Sequence, residues 1–119
     1  MRSAFVHEAT IEFAKGADEG APGAAVTVAL CGHWEHDGAC RWPHNTAVDR
    51  RSGPSAQVRT VFACEPDDED AVRRRIATAL RTGSLGTPSG TTSRWMVISD
   101  RADHVRPSEA ALATRLAEA

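Results

Sequence analysis

The stretch LCGHWEHDGACRWPHNT (30–46) holds Cys31, His33, His36, Cys40 and His44, five of the eight cysteine and histidine residues in the chain. Thiolate and imidazole are the donors that zinc gathers into a tetrahedron. Cys31 and His33 stand at i and i+2, so a strand running through them would project both from one face. Asp37-Gly38 is a tight-turn signal that would bring Cys40 and His44 back toward them. The expected ligand set is therefore Cys31, His33, Cys40 and His44 around one zinc ion, with His36 as an alternate. His7 is a distal alternate, because side chains on paired strands lie only about 5 Å apart.

Four such ligands would close the coordination sphere and pin a long loop. Three would leave room for an activated water, with Glu35 as general base in a metal-dependent hydrolase or lyase. The segment has neither a C-x2-C pair nor an H-E-x-x-H motif. A structural or binding role thus ranks above a catalytic one, and zinc is not separable from similar transition metals. A third reading is a metal-free interaction module that forms a homodimer through the hairpin and an exposed sheet edge.

Other residues invite chemistry and have plainer explanations. Cys64 precedes an acid-rich helix start that opposes thiolate formation, so it reads as a buried strand-end cysteine. EPDDED (65–70) lacks the alternating ligands of a calcium loop and suits the first turn of a helix. Within RRR (73–75), Arg73 and Arg74 stand four residues after Glu69 and Asp70, as a salt-paired solvated face would have them. GSLGTPSGTTS (83–93) has no lysine after its glycines and follows a helix, unlike a phosphate loop. Trp34 and Trp42 read as core cover or as shields for the metal.

A net charge of −2 supplies no basic face for nucleic acid. No run approaches the ~20 apolar residues of a membrane span, and MRSAFVHEATIEF places His7, Glu8 and Glu12 where a signal peptide would be apolar. A cytoplasmic location follows as the expectation, with reduced thiols and no Cys31–Cys40 disulfide. Arginine dominates over the single lysine and alanine is abundant, as in a GC-rich bacterial gene. The residues themselves name no partner protein or small-molecule ligand.

These groups need elements to hold them. AFVHEATIEF (4–13) alternates with period two and predicts a strand. KGADEGAPG (15–23) is turn chemistry, and AAVTVALC (24–31) reads as a second strand paired to the first. HNTAVDRRSGPSA (44–56) reads as an exposed loop and QVRTVFAC (57–64) as a third strand. EPDDEDAVRRRIATALRTG (65–83) is a helix with a Val72, Ile76, Ala79, Leu80 stripe and a Gly83 stop. RWMVIS (94–99) predicts a fourth strand and PSEAALATRLAEA (107–119) a terminal helix. The expectation is one α+β domain over 1–119, with a hairpin or loop insertion at about 31–46. Its mostly antiparallel four-stranded sheet, in the order β-β-β-α-β-α, would carry two helices packed on one face.

Overall fold

A computed structural model describes residues 1–32, 41–87 and 89–119. Among these residues, five strands form one antiparallel sheet: β1 (Ser3–Phe13), β2 (His44–Arg50), β3 (Ser55–Cys64), β4 (Ser84–Gly86) and β5 (Thr92–Asp103). Their spatial order is β2-β3-β1-β5-β4. Three helices accompany them: α1 (Ala21–Cys31), α2 (Glu69–Thr82) and α3 (Ala110–Glu118). Because β3 lies between β1 and β2, and β1 between β3 and β5, each helical crossover skips one strand. This is the connectivity of the split β-α-β, or ferredoxin-like, motif. The fold class is thus α+β as expected, with one more strand and one more helix.

The register follows from alternation. Along β1, Phe5, Ala9, Ile11 and Phe13 face α1 and α2, while Val6 faces the opposite side and α3. The same holds for Val58 and Phe62 against Val61 in β3, which pairs with β1 so that Phe5 opposes Phe62 and Glu8 opposes Arg59. The main core fills the space between this first face and the pair α1 and α2, with Ile11, Val26, Phe62, Val72 and Ile76 fully buried. Each such side chain removed from water contributes about 1.5–3 kcal/mol. A smaller cluster under α3 covers part of the second face: Val6, Val61 and Ala113, with Leu112 and Leu116 against them. The helices therefore occupy both faces, not one.

The largest correction concerns residues 24–31, which belong to helix α1. Val26, Val28 and Leu30 mimic a strand pattern, yet the buried positions Pro22, Val26 and Leu30 repeat every four residues. Short apolar runs satisfy both periods. Punctuation decides: Pro22 stands in the first turn, where a missing N–H costs nothing, and Gly32 closes the helix at φ 87°. Cys31 is therefore the last residue of a helix, and the expected strand hairpin through it does not form. The expected loop at 44–56 is instead the β2–β3 hairpin, turning at Gly53 with φ 61°. The short strand β4 lies within the segment read as a flexible connection, and pairs with Thr92–Arg94.

Helix α2 matches its prediction closely, starting at Glu69 after a short 3-10 turn and ending at Gly83 with φ 70°. Gly83 is required there: a Cβ would stand 2.6 Å from the Trp95 carbonyl oxygen. That close approach lets Trp95 N–H bond the Gly83 carbonyl at 2.9 Å, and the Trp95 indole N–H reaches the Leu80 carbonyl at 2.8 Å. Together these contacts tie the end of α2 to the start of β5.

Candidate functional site

The expected metal corner is placed as follows. His33, Glu35, His36 and Cys40 lie outside the described residues. Cys31 and His44 approach each other, Sγ to Nδ1 4.0 Å, where the end of α1 meets the start of β2. Cys31 is disulfide-bonded, so the expectation of a reduced thiol does not hold at this residue. The His44 ring is engaged at both nitrogens: Nδ1 donates to the Trp42 carbonyl at 3.0 Å, and Nε2 meets the Thr27 hydroxyl at 3.1 Å. His7 belongs to a different neighbourhood, since β3 separates β1 from β2. Among the described residues, no three of His, Cys, Asp or Glu come together as a group able to hold a metal ion. The zinc-binding reading, with its catalytic variant, is overturned on that ground.

His7 instead forms a polar bridge between the sheet and α2. Its Nε2 lies 2.8 Å from Asp100 Oδ2 on the neighbouring strand β5, and both side chains are nearly buried. Arg81, in the last turn of α2, donates to the other Asp100 oxygen at 2.6 Å. Burial alone would raise the Asp100 carboxyl, but its hydrogen bonds to His7 and Arg81 hold it below the ordinary range. Arg73 approaches from the middle of α2, donating to the Val6 carbonyl at 2.6 Å and to Glu69 at 2.8 Å. Its guanidinium also lies over the rings of Phe62 and Phe5, 5.3 and 6.0 Å from their centroids. The expected Glu69–Arg73 pair forms, but Arg73 is largely buried and no part of a solvated face; Arg75 is exposed, its guanidinium 5.0 Å from the centroid of the buried Trp42 ring.

The densest polar cluster lies on the second face and was not anticipated. Arg59 of β3 is 6% exposed and spends its whole fork on fixed acceptors. Nε and Nη2 donate to the two oxygens of Glu109, each at 2.8 Å; Nη1 donates to Glu8 at 2.7 Å and to Asp103 at 2.6 Å. Nη2 also reaches the His104 carbonyl at 3.1 Å. Arg101 and Arg106 close the ring by donating to Glu8 at 3.1 and 3.4 Å. The fork–fork pair with Glu109, which ends the short turn leading into α3, fixes that helix on the sheet. Hydrogen bonding by Glu109 leads in raising the Arg59 guanidinium further above its ordinary value, and Arg59 in turn holds Glu109 below the carboxylate range. Asp103 is drawn down to about 2, first by Arg59 and then by the His104 N–H.

One sequence signal pointed toward this cluster. An arginine at the centre of QVRTVFAC, a strand whose residues 58–64 are all buried, must take partners inside with it. Cys64 sits where expected, 1% exposed and free, its thiol pushed up to about 11 by burial and then by Asp68 and Glu69.

Two edges bound the sheet. The outer side of β2 carries exposed Asn45, Ala47, Asp49 and Arg50. On the other side, β4 pairs only with Thr92–Arg94, so β5 from 96 to 103 has no outer strand neighbour among the described residues. Met96 and Ile98 are exposed there, at 58% and 53%. Ladder pairing slips between Thr10–Ser99 and Ile11–Val97, leaving Ile98 as the extra residue of a bulge. Val97 packs on the main core and Asp100 reaches His7, so Ile98 and Ser99 both turn away from α1 and α2.

No protein-family model matches the chain, and neither a curated protein nor a solved structure matches it significantly. No helix among the described residues is long and apolar enough to cross a membrane.

Proposed function

We propose that the chain is a self-associating module in which the outer edge of β5 pairs with β5 of a second copy. The observation that carries this reading is the unpartnered run 96–103 bearing exposed Met96 and Ile98. An extended edge offers a row of unpaired N–H and C=O groups, which natural sheets commonly blunt with charge. The β2 edge is blunted in that way by Asp49 and Arg50; the β5 edge carries its charges at Asp100, Arg101 and Asp103 and a bulge at Ile98, but over 96–98 it sets two large apolar side chains in solvent. A second copy suits this margin because an isologous antiparallel pair satisfies both edges at once. The incoming strand is also already extended and ordered, so little conformational freedom is lost on docking.

Sedimentation equilibrium of the full chain tests the reading. A concentration-dependent dimer is expected, converted to monomer by Met96→Lys or Ile98→Lys, since these exposed positions tolerate lysine in the monomer. A wild-type chain that stays monomeric up to submillimolar concentration refutes it. So does a dimer that neither substitution weakens.

A further inference from the structure

A cavity of about 380 Å³ opens between the first turns of α2, the start of β1 and the end of β5. Ala102 and Asp103 also belong to the outer run of β5, but Met96 and Ile98, on which the pairing reading rests, do not line the cavity. Its apolar walls come from Ala4, Phe5, Ala102 and Val105, and its polar rim from Glu69, Arg73, Asp103 and His104. Ala102 opposes His7 in the sheet and so faces the helices, yet it is exposed, because α2 leaves this part of the sheet open. The volume falls within the range of small-molecule sites, and the mix of apolar walls with a few polar atoms is typical of them.

The hydrogen-bond account of the rim defines what would fit. Arg73 uses Nε on Glu69 Oε2 and Nη1 on the Val6 carbonyl and His7 Nδ1, while no described group bonds its Nη2. Glu69 uses Oε2 only, leaving Oε1 as an open acceptor. Asp103, by contrast, has Oδ2 on Arg59 and Arg101 and Oδ1 on the His104 N–H. Arg73 and Glu69 thus offer one donor group and one acceptor, on two side chains already bonded to each other. A carboxylate placed at Arg73 would lie beside the Glu69 carboxylate, and an ammonium placed at Glu69 would lie beside the guanidinium. A neutral carboxamide meets neither repulsion: its carbonyl accepts from Nη2 while its N–H donates to Oε1.

We infer that this cavity is a binding site for a small neutral molecule with an apolar body and a carboxamide edge, held by Arg73 and Glu69 over Phe5. The probe is benzamide, compared with the near-isosteres benzoate and benzylamine, titrated into the full chain and followed by backbone amide shifts in ¹H–¹⁵N spectra. Benzamide is expected to shift Ala4, Phe5 and residues 102–105, and to bind at least about tenfold tighter than either charged analogue. Ala102→Leu, which fills an exposed part of the cavity without touching the core, is expected to abolish those shifts. Glu69→Gln removes the facing negative charge, and is expected to close the gap between benzoate and benzamide. Benzamide shifts confined to other parts of the chain, or none at millimolar concentration, would overturn the inference. Equal binding of all three probes, or a benzoate preference in the unaltered chain, would overturn it as well.

Discussion

Replacing Arg59 by methionine tests whether the second-face cluster is an integral part of the fold. Methionine keeps much of the aliphatic stem and deletes the fork, so the change isolates the charged hydrogen bonds from the packing. Glu8 and Glu109 stay behind with side chains 10% and 16% exposed. Removing one partner of such a buried pair costs about 3–5 kcal/mol, because the remaining charge is left uncompensated. Two features place the expected loss near the lower end. Glu8 retains Arg101 and Arg106, and Glu109 retains the Arg106 backbone N–H at 2.9 Å. A loss of about 3 kcal/mol lowers the melting temperature of a chain this size by roughly 10 °C. Urea unfolding followed by tryptophan fluorescence and far-ultraviolet circular dichroism measures it directly. The exposed helix residue Arg74, changed to methionine in parallel, is expected to stay within about 0.5 kcal/mol of wild type. If Arg59→Met costs less than about 1 kcal/mol, the argument from uncompensated charge is wrong. The double change Arg59→Met with Glu109→Leu should recover part of the loss, since apolar replacements of buried ionic groups are often neutral.

Two further outcomes follow from the geometry. Gly83→Ala combines a left-handed backbone, which costs an L-residue about 1–2 kcal/mol, with a Cβ driven to 2.6 Å from the Trp95 carbonyl; thermal unfolding should show a loss above that range, and an unchanged melting temperature would refute it. Acid should also destabilise the fold in a defined window. Asp100, Asp103 and Glu109 all have folded-state values below their unfolded ones, so their stabilisation is complete above the ordinary carboxylate range and is lost as pH falls through it toward about 2. Urea midpoints should fall between about pH 4.5 and 2, and a flat profile there would count against these hydrogen bonds.

Helix α2 was legible because it has one buried and one wet side, so a single period dominates, and strand β1 because its residues alternate, although both of its faces are covered. Helix α1 was not: eight of its eleven residues are alanine, valine, leucine or cysteine, and burial over most of its surface erased the polar side that distinguishes the two periods. Pro22 and Gly32 carried the correct reading, and giving them more weight than the valines would have found the helix. The cysteine and histidine clustering misled for a related reason. Proximity in sequence became proximity of donors only if 24–31 was a strand, and α1 removes that premise. The partners of Arg59 were not legible for the opposite reason, since Glu8, Arg59, Asp103 and Glu109 are scattered along the chain and meet only once the strand order is known.

The unequal thickness of the two layers has a dynamic consequence. α1 and α2 rest on a broad core, whereas α3 buries only Ala113 fully and depends on Glu109 for its anchorage. Local openings begin where few apolar contacts must be broken. Amide exchange should therefore find α3 to be the least protected helix, lifting from the sheet while the rest of the molecule remains folded. Each such excursion bares Val6 and Val61, which converts the second face for a moment from a charged surface into a greasy one. Acid below about pH 4.5, which weakens the Arg59–Glu109 pair, would raise the frequency of these excursions before the main core gives way.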